Sequence, residues 1–234
     1  MAGVMAGLLL VIVGVVGFWG LTRMHGKPNP KDIVKAFEGM SQLEGWQADI
    51  VCKMNSNSSS FDLGQVLYQR NVGYAFLVYG ESGAVTDYHA YPASQNNTGY
   101  WWSPTYGGWQ PEKKGGERPD MCSPGKTTRF TLFEKGGGTF AGEPAVRYNI
   151  EADSSDYAFL KTVSAPVAGE NAFSDMAETS EADLWLSKKQ DKVLGFEFIL
   201  NSNNKQNVIG KLIVTFSRFG QPVLEGANLM PPGV

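Results

Sequence analysis

The hydrophobic pattern of the chain changes twice, and each change marks a different kind of segment. Residues 1–22 carry no charged side chain, and the first charge is Arg23. A helix of that length spans about 33 Å, enough to cross a hydrocarbon core of about 30 Å. We therefore predict a transmembrane helix over residues 1–23, a linker over 24–31 and one domain over 32–234.

An uncleaved helix fits the first segment better than a cleaved signal peptide or a lipoprotein signal. No Lys or Arg precedes the apolar run, and no small-residue cleavage pair follows it. A lipoprotein signal places a cysteine just after the apolar run, whereas the first cysteine is Cys52. Gly3 and Gly7 form a small-xxx-small pair, which predicts close packing with an integral-membrane partner; a helix that faces only lipid is the alternative.

After the linker the spacing first becomes helical and then alternates. Ile33, Phe37 and Met40 recur at helical spacing, and Asn29 followed by Pro30 forms a start signal, so the pattern predicts an amphipathic helix over residues 30–43. From Gly45 the period is two, which is typical of half-buried strands. The predicted strands are Trp46–Met54, Phe61–Arg70, Val72–Tyr79, Ala84–Tyr91, Gly99–Ser103, Thr127–Glu134, Ala145–Glu151, Glu181–Leu186, Val193–Leu200 and Val208–Phe219.

The segments between these strands have the composition of turns and loops. We predict a long loop over Trp109–Gly125, a separator at Gly136–Gly138, a short helix over Asp153–Lys161 and a surface loop over Ala165–Ser180. About ten antiparallel strands in up-and-down order predict a mainly β (α+β) fold. Because a strongly curved antiparallel sheet must hide one face, we expect a half-barrel covered by the amphipathic helix.

Charge and motif content exclude several classes of function. The net charge of −3 gives no basic surface for nucleic acid. The two histidines, His25 and His89, lie in no metal or triad spacing, and the sequence contains no phosphate-binding loop or nucleophile elbow. We therefore expect a non-enzyme that uses no cofactor or metal.

The two cysteines, Cys52 and Cys122, are either buried thiols or one disulfide. We predict the disulfide, which closes a loop of about 70 residues and contributes about 4 kcal/mol in the chain-entropy model. Such a bond requires an oxidising compartment. Two reduced thiols would remove this argument for a location outside the cytoplasm.

An aromatic cluster lies in the middle of the chain, interrupted by proline and glycine. Neighbouring tryptophans on one strand point to opposite faces, so at least one ring faces away from the core. Cross-strand aromatic packing in a hairpin is one interpretation, and a rim for an apolar ligand or a protein partner is the other. The cluster comprises Tyr100, Trp101, Trp102, Tyr106 and Trp109.

The last third of the chain resembles a known family. The run ADLWLSKKQDKVLGFEFIL, the run GKLIVTFSRFGQPV and the pair Pro231-Pro232 are similar to the ending of the LolA-like superfamily, in particular of its actinobacterial LppX/LprG-type lipoproteins. The best matches are Leu184–Ser187 and Phe216–Val223. The similarity is specific over about 50 C-terminal residues and extends further only as the order of elements.

The resemblance implies an open half-barrel whose concave face, covered by helices, holds acyl chains or a lipidated peptide outside the cytoplasmic membrane. Membrane lipid or an acylated ligand is then the expected partner. The chain departs from the lipoprotein branch because a transmembrane helix replaces the lipid anchor, which argues against a freely shuttling carrier. Arg23, Lys27, Lys31 and Lys35 follow the span and, by the positive-inside rule, favour a cytoplasmic domain instead. An accessory subunit of a membrane complex and a sensor domain are the other hypotheses.

Overall fold

The computed structural model describes residues 30–55, 59–94, 98–103, 105, 107–111, 129–152, 180–189, 191–201, 208–224 and 229–231. The predicted transmembrane helix with Gly3 and Gly7, nearly all of the linker, Tyr106, Cys122 and the predicted helix over Asp153–Lys161 lie outside these ranges. Among the described residues, no helix is both long and apolar enough to cross a membrane.

The predicted amphipathic helix is confirmed as α1, Pro30–Gln42. Its apolar stripe, Ile33, Ala36, Phe37 and Met40, is buried. These positions recur every three or four residues, so they share one helix face, and that face packs on the sheet. Lys35 and Glu38, which lie between them in the sequence, are exposed.

Eleven strands form a single antiparallel sheet in the described part of the chain, in the order β6-β5-β4-β3-β2-β1-β11-β10-β9-β8-β7. Two meanders, β1–β6 and β7–β11, are joined where β1 pairs with β11. The strands are β1 Gly45–Met54, β2 Ser60–Gln69, β3 Gly73–Tyr79, β4 Val85–Pro92, β5 Tyr100–Ser103, β6 Gly108–Pro111, β7 Arg129–Phe140, β8 Glu143–Ala152, β9 Ser180–Ser187, β10 Val193–Asn201 and β11 Val208–Ser217.

The mainly β prediction is confirmed, with two corrections to the strands. The predicted loop over Trp109–Gly125 begins too early, because Gly108–Pro111 forms β6, a four-residue edge strand that pairs with β5. Residues 112–128 lie outside the described ranges.

The predicted separator at Gly136–Gly138 is wrong, because β7 runs through all three glycines. They pair with Arg147, Val146 and Ala145 of β8, and a register shift lies just before Gly136, whose φ is 101°. Glycine accommodates such a bulge without the steric cost of a Cβ. The chain instead turns at Ala141 and Gly142, directly between β7 and β8.

The two faces of the sheet have different coverings. We call the face against which α1 packs the inner face and the opposite one the outer face. The outer face carries a C-terminal segment whose Val223, Leu224, Leu229 and Met230 pack over Leu67, Ala75 and Leu77. The backbone N–H of Leu224 donates to Oε1 of buried Gln69 at 2.9 Å, which fixes this segment on the sheet.

Candidate ligand-binding face

The inner face is the candidate site because it carries a continuous apolar cluster. Alternation along β1 places Trp46, Ala48, Ile50 and Cys52 on it, and the paired residues of the neighbouring strands extend the same face. Its buried members are Ile33, Ala36, Phe37, Met40, Trp46, Ala48, Ile50, Cys52, Leu63, Val66, Tyr68, Tyr74, Phe76, Val78, Tyr91, Tyr148, Ala182, Leu184, Leu186, Val193, Phe196, Phe198, Leu212, Val214 and Phe216.

Aromatic rings connect this face from the helix to β4. Phe37 of α1 stacks on Phe196 with 5.9 Å between ring centroids, and Phe196 meets Phe216 at 6.1 Å. Trp46 lies at the centre, 5.2 Å from both Phe216 and Tyr68. The chain of rings continues through Tyr74, Phe76 and Tyr91.

Apart from the tyrosines and Trp46, the buried polar residues that the structure describes lie away from this face. They are Gln69, Asp183 and Ser187, and strand register places each of them on the outer face. Burial of a polar group carries a desolvation cost that an apolar ligand cannot offset, so their placement keeps the inner face suited to hydrocarbon.

The last turn of α1 is tied to β2 by two side chains. The Tyr68 hydroxyl donates to the carbonyl of Ser41 at 3.0 Å, and Nη1 of Arg70 donates to the carbonyl of Gln42 at 3.1 Å. These bonds satisfy carbonyls that have no partner within the helix. These two bonds fix the C-terminal end of α1 over the inner face.

The predicted disulfide falls partly outside the described residues. Cys52 is buried on the inner face with its Sγ 3.7 Å from Sδ of Met54, and burial raises the pKa of its thiol. Because Cys122 is not among the described residues, the bond stays a prediction.

Strand register divides the predicted aromatic rim between the two faces. Trp101 pairs with His89, which places it on the inner-face side, whereas Trp102 pairs with Tyr88 and Trp109 on the outer face. The rings of Tyr88 and Trp102 are 5.0 Å apart, so cross-strand aromatic packing is present. Tyr100, Trp101, Trp102 and Trp109 are all half-buried. Their role as a rim for a ligand or partner stays a prediction.

The outer face of β8, β9 and β10 holds a cluster of charged groups. Arg147 of β8 forms an ion pair with buried Asp183 of β9, and its guanidinium also lies 4.0 Å from Glu197 and 5.5 Å from the Trp185 ring centroid. Phe140 stacks on the same Trp185 ring at 5.1 Å. The arrangement stabilises three adjacent strands on one surface.

A cavity of about 720 Å³ lies between the exposed side of α1 and the β9–β10 turn. Two lysines and two carboxylates line it, a composition that suits water and ions more than an acyl chain. The lining residues are Lys35, Glu38, Gly39, Ser41, Gln42, Lys189 and Asp191. Within the described ranges, no three histidine, cysteine or acidic side chains come together as metal ligands.

Comparison with known proteins identifies similar structures but no matching sequence family. No protein-family model matches the chain, and no curated protein matches it. The lipoprotein LppX of Mycobacterium tuberculosis has a TM-score of 0.48 at 12% identity, over 84% of this chain and 98% of LppX. LprF from Mycobacterium bovis has a TM-score of 0.44 at 14% identity, over 85% and 97% of the two chains.

A LolA superfamily protein from Nitrosomonas europaea is similar at a TM-score of 0.37 and 10% identity, over 86% of this chain and 96% of that protein. Each TM-score is below 0.5, so the function of this chain has to be argued from its own residues.

Proposed function

We propose that the chain is a membrane-anchored, extracytoplasmic binding domain that holds a lipid, an acyl chain or a lipidated ligand against its inner face. One observation carries the proposal: the buried cluster on the inner face consists of aliphatic and aromatic side chains, while buried Gln69, Asp183 and Ser187 lie on the outer face. Apolar surface removed from water contributes about 25 cal/mol per Å², so such a face retains hydrocarbon without a polar anchor.

The breadth of the cluster supports a half-barrel. Eight neighbouring strands, from β4 to β8 in sheet order, contribute buried residues to it. A flat sheet of that width would span about 34 Å. The 13-residue helix α1 is about 20 Å long and about 10 Å wide. If the sheet curves around the helix, residues from all eight strands come close to it. This curvature explains why the helix and the sheet share one buried cluster.

Anchoring and location follow from the sequence rather than from the described residues. The uncharged segment over residues 1–22 supports a transmembrane anchor, and a Cys52–Cys122 disulfide would support an extracytoplasmic location. No catalytic, cofactor or metal role is part of the proposal.

The proposal is tested with the full chain purified in mild detergent. Lipid extraction followed by mass spectrometry should identify a bound acyl lipid, and the delipidated protein should take up a fluorescent fatty acid. Absence of both signals from the folded wild-type protein would contradict the proposed function.

Two neighbouring positions of β10 provide a matched pair of variants. Phe198 is buried on the inner face, whereas Ile199 is half-buried on the outer face. Phe198→Asp should reduce fatty-acid uptake at least tenfold, because the carboxylate is placed where the acyl chain lies. Ile199→Asp should retain uptake, and circular dichroism should verify that both variants are folded.

A second candidate function is that of a non-catalytic accessory subunit of a membrane complex. It is favoured by the way the protein's own rings fill the inner face, with Phe37 stacked on Phe196, and by half-buried Trp102 and Trp109 on the outer face. Co-purification in mild detergent distinguishes the two functions. A stable stoichiometric partner supports the subunit, and a monomer with bound lipid supports the binding domain.

A further inference from the structure

The two edges of the sheet differ in how well they are protected against pairing with another chain. β6, at one edge, is four residues long and ends at Pro111, which has no N–H to donate. β7, at the other edge, has 12 residues and no proline, and no described strand pairs with its free side. Short edge strands and edge prolines prevent strand addition, so β7 is the edge that can accept a further strand.

Two glycines of β7 occupy positions where the described fold would accept alanine. Neither Gly137 nor Gly138 has a positive φ. A Cβ at Gly137 would lie 3.8 Å from the carbonyl oxygen of Ala145, and one at Gly138 would lie 3.6 Å from the Trp185 ring, which are ordinary contact distances. Glycine weakens a strand, because it loses more conformational freedom on folding than any other residue. Within a strand it often marks the place where another backbone approaches closely.

These glycines belong to the regular and accessible part of the edge. The register shifts of β7 lie before Gly136, and pairing with β8 is continuous from there to Phe140. Gly137, Gly138 and Thr139 are exposed. The stretch Gly136–Phe140 therefore offers five consecutive residues in one register to an incoming strand.

The sequence of this stretch, GGGTF, is complementary in size to a second copy of itself. In an antiparallel pair centred on Gly138, Thr139 lies opposite the partner's Gly137, and Phe140 lies opposite the partner's Gly136. Strand register places Thr139 and Gly137 on the inner face, and Phe140 and Gly136 on the outer face. Because directly opposite residues point to the same face, each larger side chain meets a glycine of the other copy.

We propose that the edge of β7 over Gly136–Phe140 is an interaction surface for a second copy of this chain. The two copies pair antiparallel about a two-fold axis at Gly138, and both inner faces then lie on the same side of the joined sheet. A ladder of five residues is smaller than the interface of a stable soluble dimer, so the pairing forms between copies that share one bilayer. The inference uses the proposed membrane anchor and is independent of the proposed ligand.

The test is cysteine cross-linking of the full chain reconstituted in liposomes, with the wild type as background. Opposite Cα atoms of an antiparallel pair are about 4.5–5.5 Å apart, within the reach of a disulfide. Gly138→Cys should therefore cross-link to its own copy under mild oxidation. Gly137→Cys alone and Thr139→Cys alone should stay at background, because identical positions are then about 8 Å apart. The two variants mixed in the same liposomes should cross-link to each other.

A matched pair of lysine variants, each added to Gly138→Cys, tests which edge is used. Gly137→Lys should lower the cross-linked fraction about tenfold, because an edge lysine opposes strand addition. Gly108→Lys places the same side chain on β6, where a Cβ meets no described atom within 4 Å, and should leave the fraction unchanged. Circular dichroism should verify that all variants are folded.

The cross-linking pattern decides the inference. Cross-linking of Gly138→Cys, together with cross-linking of the other two variants only when they are mixed, supports the two-fold pairing. No cross-link at any of the three positions, or equal cross-linking of Thr139→Cys alone and in the mixture, overturns it. The edge is assigned to a different chain, and the inference also fails, if no cross-link forms and Gly137→Lys releases a co-purifying protein. Fatty-acid uptake by the same samples shows separately whether the proposed function holds.

Discussion

At the residue scale, the turn between β7 and β8 depends on two positive φ angles. Ala141 has φ of 50° and Gly142 has φ of 83°, the combination that a two-residue type I′ turn requires. Alanine is a poor residue for this conformation because its Cβ crowds the backbone. The sequence predicted a break between strands at the glycine-rich run before this turn, whereas the turn itself contains only one glycine, Gly142.

Ala141→Asn should therefore stabilise the protein. Asparagine tolerates the left-handed conformation and suits the first turn position, so the free energy of unfolding should rise by about 0.5–1 kcal/mol. Urea denaturation measures the change. Ala93→Asn, in an exposed turn where the residue has no positive φ, is the control and should change stability by less than about 0.3 kcal/mol. An equal effect of the two substitutions would contradict the explanation.

Tyr79 gives the outer face a pH-dependent contribution to stability. Burial raises the pKa of its phenol, and the charges of Asp49 and Asp62 and the neighbouring Tyr88 raise it further. The unfolded phenol titrates near pH 10. Since the folded pKa is higher, the contribution is complete below about pH 10 and is lost as the pH rises through the folded value.

We expect the melting temperature of the wild type to fall more steeply above about pH 10 than that of Tyr79→Phe. Melting curves at pH 7, where the phenol is protonated in both states, supply the reference for each protein. Parallel pH profiles of the two proteins would mean that Tyr79 does not carry this dependence.

At the element scale, the outer face of β8, β9 and β10 is held by a charge cluster. Arg147 bonds Asp183, which is 3% exposed, and lies within 4.0 Å of Glu197 on the next strand. Asp183 and Glu197 are direct cross-strand neighbours, so two carboxylates share one guanidinium. Alternation in ADLWLS and VLGFEFIL predicted these strands, but the pairing that brings the charges together depends on register.

Arg147→Met should destabilise the protein by about 2 kcal/mol. The change removes the cation between two close carboxylates, one of them buried, while partial exposure of the guanidinium keeps the loss below that of a fully buried pair. Chemical denaturation measures the effect. Lys53→Met, at an exposed position of β1, is the matched control and should stay within about 0.5 kcal/mol of wild type. A similarly small effect at Arg147 would show that the cluster contributes little.

At the scale of the whole molecule, the pairing of β1 with β11 joins the two meanders and creates one inner face. Hydrophobic alternation predicted the strands on each side of this junction. It carries no information on which distant strands are neighbours, because every half-buried strand has the same period. The apolar face therefore could be predicted strand by strand, whereas its continuity from β4 to β8 could not.

The predicted Cys52–Cys122 disulfide belongs to the scale of the whole molecule, because it would join β1 to the segment that follows β6. We expect the oxidised chain to resist alkylation in denaturant without reductant and to weigh less than the reduced chain by two hydrogen atoms. Reduction should lower the free energy of unfolding by about 4 kcal/mol. Complete alkylation of both cysteines in denaturant without reductant would contradict the bond and favour a reducing compartment.

The sequence by itself determined the elements: the helix with its buried stripe of Ile33, Phe37 and Met40, the alternating strands and the mainly β class. These features are local, since propensity and periodicity act over a few residues. The tertiary structure decided the rest. β7 continues through its glycines because β8 pairs with it, and Trp46 is buried among rings from three strands, where its Nε1 finds no acceptor within the described ranges. Contacts between distant strands create such sites, and no local pattern in the sequence encodes which strands will meet.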